Sequence, residues 1–293
     1  GRTAVVDPAS LADLASLNPG DSVTFPLFGG ELVSGRIVLV QADAGNWTRV
    51  GGVLTGERVG TFSLSTNGAE IGGAILLPEE FTAVELSRDA NGRIVIEERP
   101  IGDVLCTPLP LVSSAPTFNA PSNGLTPTGA ALVAPVLSSR PTATAVIYID
   151  FDGETVTDPH WNGGQTIVAA PANLTTSEMN QVWAVVAEDF WPFNIDVTTD
   201  VNRYNSAPVN RRTRCIVTPT NTAAPNSGGV AYLSSFSRAG QVFTPTVPCW
   251  VFNGGVRGAA DSISHEVGHT LGLRHDGRTG EEYYYGHGWG AVG

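Results

Sequence analysis

The stretch His265-Glu266-Val267-Gly268-His269-Thr270-Leu271-Gly272-Leu273-Arg274-His275-Asp276 carries two signals at once, a helix and its end. On a helix, residues four apart stand one turn above each other, so His265 and His269 project from the same face. Glu266 lies about a third of a turn round from His265, close to that face without sharing it. His275 cannot join them on a straight helix, because both its azimuth and its rise are wrong. Gly272 removes the obstacle: glycine tolerates positive φ, so the helix can stop there and the chain can swing back. Three imidazoles then approach one point from two sides. Neutral imidazoles bind Zn2+ at roughly 2.0–2.1 Å, and three protein ligands with one open position make a catalytic rather than a structural zinc site. Glu266 is then placed to take a proton from a water held there. The competing reading is a core helix with incidental histidines. Against it, three of the chain's five histidines fall within residues 265–275.

This segment resembles the long zinc motif of the metzincin metalloendopeptidases, and Asp276 after the third histidine is similar to the reprolysin (adamalysin)-like group. Weaker support comes from Tyr148–Gly153, from Val185–Phe190 with Pro192-Phe193, and from Gly229–Tyr232. The resemblance covers about residues 144–287, and the wider layout is similar to secreted bacterial relatives of that group. It implies an α+β catalytic domain: a mixed twisted sheet with two long helices, and a substrate cleft along an edge strand, for which Gly229–Phe236 is the candidate. It also implies cleavage of protein or peptide substrates, with Glu266 as base and His265, His269 and His275 holding one zinc. The family carries a Met-containing turn beyond the third histidine. The sole Met here is Met179 and the chain ends at Gly293, so the expectation is a domain missing its C-terminal part. Two alternatives stay open: a secreted binding or adhesion module with a non-catalytic zinc site, and a zinc hydrolase acting on a non-peptide substrate.

Working outward from the motif, Thr175-Thr176-Ser177-Glu178 is a capping box that starts a helix with Met179, Val182, Trp183, Val186 and Phe190 at helical spacing, ended by Pro192. A strand running into a turn is expected over 145–153, further strands at 194–198, 214–219, 229–236 and 249–252, and the motif helix at about 258–271. Residues 106–143 are rich in Pro, Ser, Thr and Ala and hold no acidic residue, a composition that cannot bury a core. Before them, a short helix is expected over 7–17. Strand-like runs at 22–27, 36–41, 60–64, 74–77, 82–86 and 93–97 then suggest a sandwich or an open barrel. The domains expected are a β-rich unit over 1–112, a linker with an activation cut over 113–143, and a catalytic unit over 144–293. In this layout the first unit is an inhibitory prodomain and the whole chain a proenzyme.

Composition narrows the partners. The net charge is −12 with a pI near 4.7, and all sixteen basic residues are Arg. No basic stripe is available to neutralise phosphates, and an anionic membrane surface would repel the chain. No apolar run is long enough to span a bilayer. An acidic chain with an odd cysteine count suggests a secreted, extracellular protein. Cys106 closes the first unit, and metzincin propeptides often place a cysteine sulfur on the zinc. The resemblance thus makes Cys106 a cysteine switch; an inert buried thiol is the other reading. Cys215 and Cys249, each beginning an expected strand, are read as a disulfide in an extracellular setting, with free thiols as the alternative. Asp150 and Asp152, flanking a strand end before Gly153, either bind Ca2+ or cap a turn. His160 and His287 read as ordinary turn or surface histidines.

Overall fold

Runs of alternating residues in the N-terminal third become strands, and the computed structural model, which describes residues 1–6, 16–43, 46–105, 134–239 and 247–275, shows how they join. β1 (Thr3–Val6), β2 (Ser22–Pro26), β3 (Leu32–Asp43), β4 (Trp47–Thr55), β5 (Thr61–Thr66), β6 (Ile71–Leu77), β7 (Thr82–Arg88) and β8 (Ile94–Pro100) form one antiparallel sheet in the order β1-β8-β7-β6-β5-β4-β3-β2. It is a single curled sheet, not two packed ones. Its inner face buries Phe25, Ile37, Val50, Phe62, Leu64, Ile75, Leu86 and Ile96. Each such side chain contributes roughly 1.5–3 kcal/mol on leaving water. β4 was not foreseen, because Gly51-Gly52 interrupts its apolar alternation. The helix expected over 7–17 falls mostly on residues outside the described set.

The C-terminal unit is α+β. β9 (Ala145–Asp150), β12 (Ile195–Thr198), β13 (Arg212–Val217), β14 (Gly229–Val230) and β15 (Cys249–Val251) form a sheet ordered β12-β9-β13-β15-β14. Four of its strands are parallel, and β14 runs antiparallel along one edge. A separate ribbon pairs β10 (Glu154–Val156) with β11 (Ile167–Ala169). Two long helices, α1 (Thr176–Asp189) and α3 (Val256–Leu271), pack against each other and the sheet, with a short α2 (Val201–Ser206) elsewhere. The capping box forms: Thr175 Oγ1 accepts from Glu178 N–H, and the Glu178 carboxylate accepts from Thr175 N–H at 2.7 Å.

Strand period two divides this sheet between two cores. Cys215, Val217, Cys249 and Val251 face the helices, where Val182, Val186, Ile263 and Val267 cover them. Ile216, Val230, Tyr232 and Trp250 face the other way and share a core with Ala74, Leu76, Ala83, Ile101 and Val104 of the N-terminal sheet and its exit. The outer face of the curled sheet is therefore the second cover of the C-terminal sheet. Arg49 and Asp158 pin this contact with a 2.7 Å ion pair, both side chains withdrawn from solvent.

Three expectations are corrected here. Cys215 and Cys249 are free thiols: they stand in register on adjacent parallel strands, packed side by side as small apolar groups beneath the helices. Burial pushes the Cys215 thiol well up. The strand expected over 229–236 ends at Val230, since the chain turns at 233–238 and Ser234 has φ 62°. The last part of the expected linker belongs to the C-terminal unit: Leu137 and Thr199 exchange hydrogen bonds, Ser139 N–H donates to Val197 O, and Ser138 Oγ donates to Asp196.

Candidate metal centre

Helix α3 presents His265 and His269 one turn apart, and it ends where the sequence placed the break. Gly272 takes φ 103°, in the left-handed region. Gly272 N–H donates to His269 O and Leu273 N–H to Gly268 O, the paired bonds of a Schellman end. The chain then reverses and brings His275 back beside the helix. The Nε2 atoms of His265, His269 and His275 lie 2.9, 3.0 and 3.1 Å from one another. Ligand atoms of one tetrahedral zinc site are expected roughly 3.3 Å apart for bonds of roughly 2.0–2.1 Å, so the spacing suits one ion.

The protonation chemistry points the same way. His269 Nδ1 lies 2.8 Å from Leu273 O, and a carbonyl only accepts, so Nδ1 carries the proton and neutral His269 offers a lone pair at Nε2. Three converging nitrogens have only two states each, N–H or lone pair, so at least one of the three contacts sets like against like. A cation accepts all three lone pairs at once. Burial, then the charges of His269 and His275, lower His265 to about 4, which keeps it a neutral ligand. These three histidines can hold a metal ion.

Glu266, on the next residue round the helix, is buried, and its Oε2 has no hydrogen-bond partner among the described residues. Burial alone pushes its carboxyl up to about 8. The edge strand lies directly over it: a Cβ on Gly229 would meet Glu266 Oε1 at 2.6 Å. Glycine there lets the edge approach the carboxylate. Beyond β14, Tyr232 pairs antiparallel with Leu105, and Leu233 N–H donates to Val104 O at 3.0 Å. A segment from the N-terminal unit thus lies along the edge beside the histidines.

Of the remaining expected site residues, Cys106, Asp276 and His287 fall outside the described residues. Asp150 and Asp152 flank the end of β9 ahead of Gly153. Asp150 is buried, which together with a hydrogen bond it can donate to Asp152 when protonated raises its carboxyl to about 8. The cation beside it is Arg214, 3.7 Å from Asp150 and paired with Glu154. His160 is not a surface residue: it is buried, its N–H and Nδ1 both 2.9 Å from Asp158 Oδ1, and its ring stands edge-on to Tyr232. Sequence reasoning missed this Arg49–Asp158–His160 cluster; the only hint was the short Asp158-Pro159-His160 spacing.

No family model matches the chain, and no curated protein matches it. Among solved structures, a chain described as "Structure of a chaperone-substrate complex" is similar at 16% identity, over 34% of this chain and 81% of that one, with a TM-score of 0.26. A likeness that loose carries no argument about fold or function.

Proposed function

We propose that this chain is a zinc-dependent endopeptidase of metzincin type, extracellular, in a latent form. The observation that carries the reading is the convergence of three imidazole nitrogens beside a buried, unpartnered Glu266 under a sheet edge. His265, His269 and His275 hold the metal. When bound, zinc supplies a Lewis acid that polarises a peptide carbonyl and acidifies water towards roughly pKa 7. Glu266 accepts the proton of the attacking water and passes it to the leaving amine. A nearby dication draws the raised Glu266 pKa back towards the range where it accepts that proton. The edge from Gly229 to Leu233 holds an extended peptide by backbone pairing.

Latency belongs to the N-terminal unit. Its exit segment already occupies the edge, with Leu105 opposite Tyr232. The edge it occupies leads from Tyr232 to Gly229, beneath which Glu266 lies. Cys106, the next residue in sequence after Leu105, is read as the sulfur that closes the metal in the latent form, with the activation cut in the 113–143 linker ahead of Leu137 to Ser139, which are bonded into the C-terminal unit.

The test is zinc content together with cleavage of an unfolded protein substrate after linker cutting. Wild type is expected to bind one zinc and cleave, and chelation to stop it. Glu266→Ala is expected to keep the zinc and lose about 10²–10⁴-fold in rate. Zinc without cleavage in the cut wild type overturns the peptidase reading in favour of a binding module.

A further inference from the structure

Arg274 stands two residues past Gly272 and immediately before His275. Its half-exposed guanidinium pairs with the Asp103 carboxylate, 171 positions earlier in the chain. Arg238 lies on the turn that follows the edge, its N–H bonded to Ser234 O at 2.8 Å. Glu85 of β7 pairs with Arg99 at 2.6 Å, and the charges of Arg238 and Arg274 add to that of Arg99 in opposing the effect of its burial. Arg274, next to His275, thus pairs with one carboxylate of the N-terminal unit in a chain whose net charge is −12. Asp103 is not an arbitrary partner. It directly precedes Val104 and Leu105, whose backbones pair with Leu233 and Tyr232 as an added strand does.

Direction fixes the register. A peptide running as 103 to 105 runs heads along the edge from Leu233 towards Gly229 and Glu266, so the residue facing Arg274 precedes the bond presented to the metal. We propose that Arg274, backed by Arg238, determines substrate specificity: it selects peptides with Asp or Glu on the N-terminal side of the cleaved bond, and Asp103 fills that subsite in the latent chain. The inference rests on the peptidase reading. A guanidinium suits a carboxylate because it offers a planar fork of donors, a match that a neutral or cationic side chain cannot make.

Binding and cleavage test it separately. In the full chain, Asp103→Gly and Leu105→Gly together free Arg274 and loosen the segment on the edge, while Val104 and the rest of the shared core, with Arg49–Asp158, keep the N-terminal sheet in place. The probe is a fluorescent synthetic copy of residues 99–108 carrying Cys106→Ser, compared with the same peptide also carrying Asp103→Lys. Anisotropy titration is expected to show the Asp peptide binding at least tenfold tighter. Adding Arg274→Glu to the protein is expected to invert that order. Equal binding of the two peptides, or an Asp preference that survives Arg274→Glu, overturns the subsite. Mass spectrometry reads cleavage in parallel mixtures in which the protein also carries Cys106→Ser, is loaded with zinc and has its linker cut: acid preference without any cleavage there sinks the peptidase reading and keeps the subsite.

Discussion

The molecule holds two clusters of histidine and carboxylate, one buried and one opening to the surface at His265, and they are built on opposite principles. At the contact between the sheets, Asp158 accepts from Arg49 and from His160, and Tyr232 Oη donates to His160 O at 2.9 Å. None of the buried side-chain polar atoms of this cluster lacks a partner. Burial would raise Asp158, but the His160 hydrogen bond and the charges of His160 and Arg49 outweigh it and hold the carboxyl down at about 2. At the other cluster Glu266 is raised to about 8 with an oxygen unpartnered, and three imidazole nitrogens crowd one another. A satisfied cluster fastens two sheets together. The other, held in place by a helix and a glycine turn, sets three histidines that can hold a metal ion beside a buried carboxylate.

The sharpest way to break the comparison is to remove one partner from each. Glu266→Ala is expected to leave folding intact while abolishing most turnover. Arg49→Ala is expected to do the reverse and cost about 3–5 kcal/mol in urea unfolding, because Asp158 is left buried and uncompensated. The double variant Arg49→Met with Asp158→Leu should recover much of that loss, since it removes the stranded charge with its partner. If Arg49→Ala unfolds at the wild-type midpoint, the contact between the sheets is held by its apolar core alone.

The same contrast explains what could be read in advance. The motif helix, its glycine end and the capped helix α1 are local devices: spacing of four, one positive φ, one Thr-to-Glu reach of three residues. Each is written within a dozen positions. The fastening cluster joins Arg49 to Asp158 across 109 positions, and no period in the sequence connects them. β4 was invisible for a related reason. Gly51 lies where a Cβ would meet Pro159 Cα at 2.6 Å, so the residues that spoil its alternation are the ones the C-terminal unit packs against. The cysteines show the limit differently. Cys215 and Cys249 suggested a bridge by count and compartment, yet their place on one helix-facing layer makes them packing residues.

Acidity and alkalinity should separate the two carboxylates in the metal-free chain. Asp158 titrates lower folded than unfolded, so its contribution is present above pH about 4 and is lost as pH falls towards about 2. Glu266 titrates higher folded than unfolded. The native state therefore holds a proton that the unfolded state has released, and stability falls as pH rises from about 4.5 to about 8. Each slope is at most about 1.4 kcal/mol per pH unit for one proton. Unfolding curves of wild type and Glu266→Gln should converge near pH 4 and diverge by pH 8, with Glu266→Gln the more stable. Parallel curves across that range would mean Glu266 is not held as a neutral acid.

The smallest effect probes where the two clusters meet. Tyr232 belongs to both: its backbone pairs with Leu105 on the edge beside the histidines, and its hydroxyl reaches His160 O and the Ser63 side chain at the fastening cluster. Tyr232→Phe keeps the ring, which packs edge-on against Trp161 at 5.0 Å, and removes only the hydroxyl. A net hydrogen bond contributes about 1 kcal/mol, so a loss of about 1 kcal/mol in urea unfolding is expected if the tyrosine merely joins two neutral groups. If the hydroxyl also sets the position of His160, and through it Asp158, Tyr232→Phe combined with Arg49→Ala will cost less than the two changes separately. A double-mutant cycle measures that difference. Strict additivity would show that the edge and the fastening cluster are independent, and that the N-terminal segment can leave the edge without loosening the contact between the sheets.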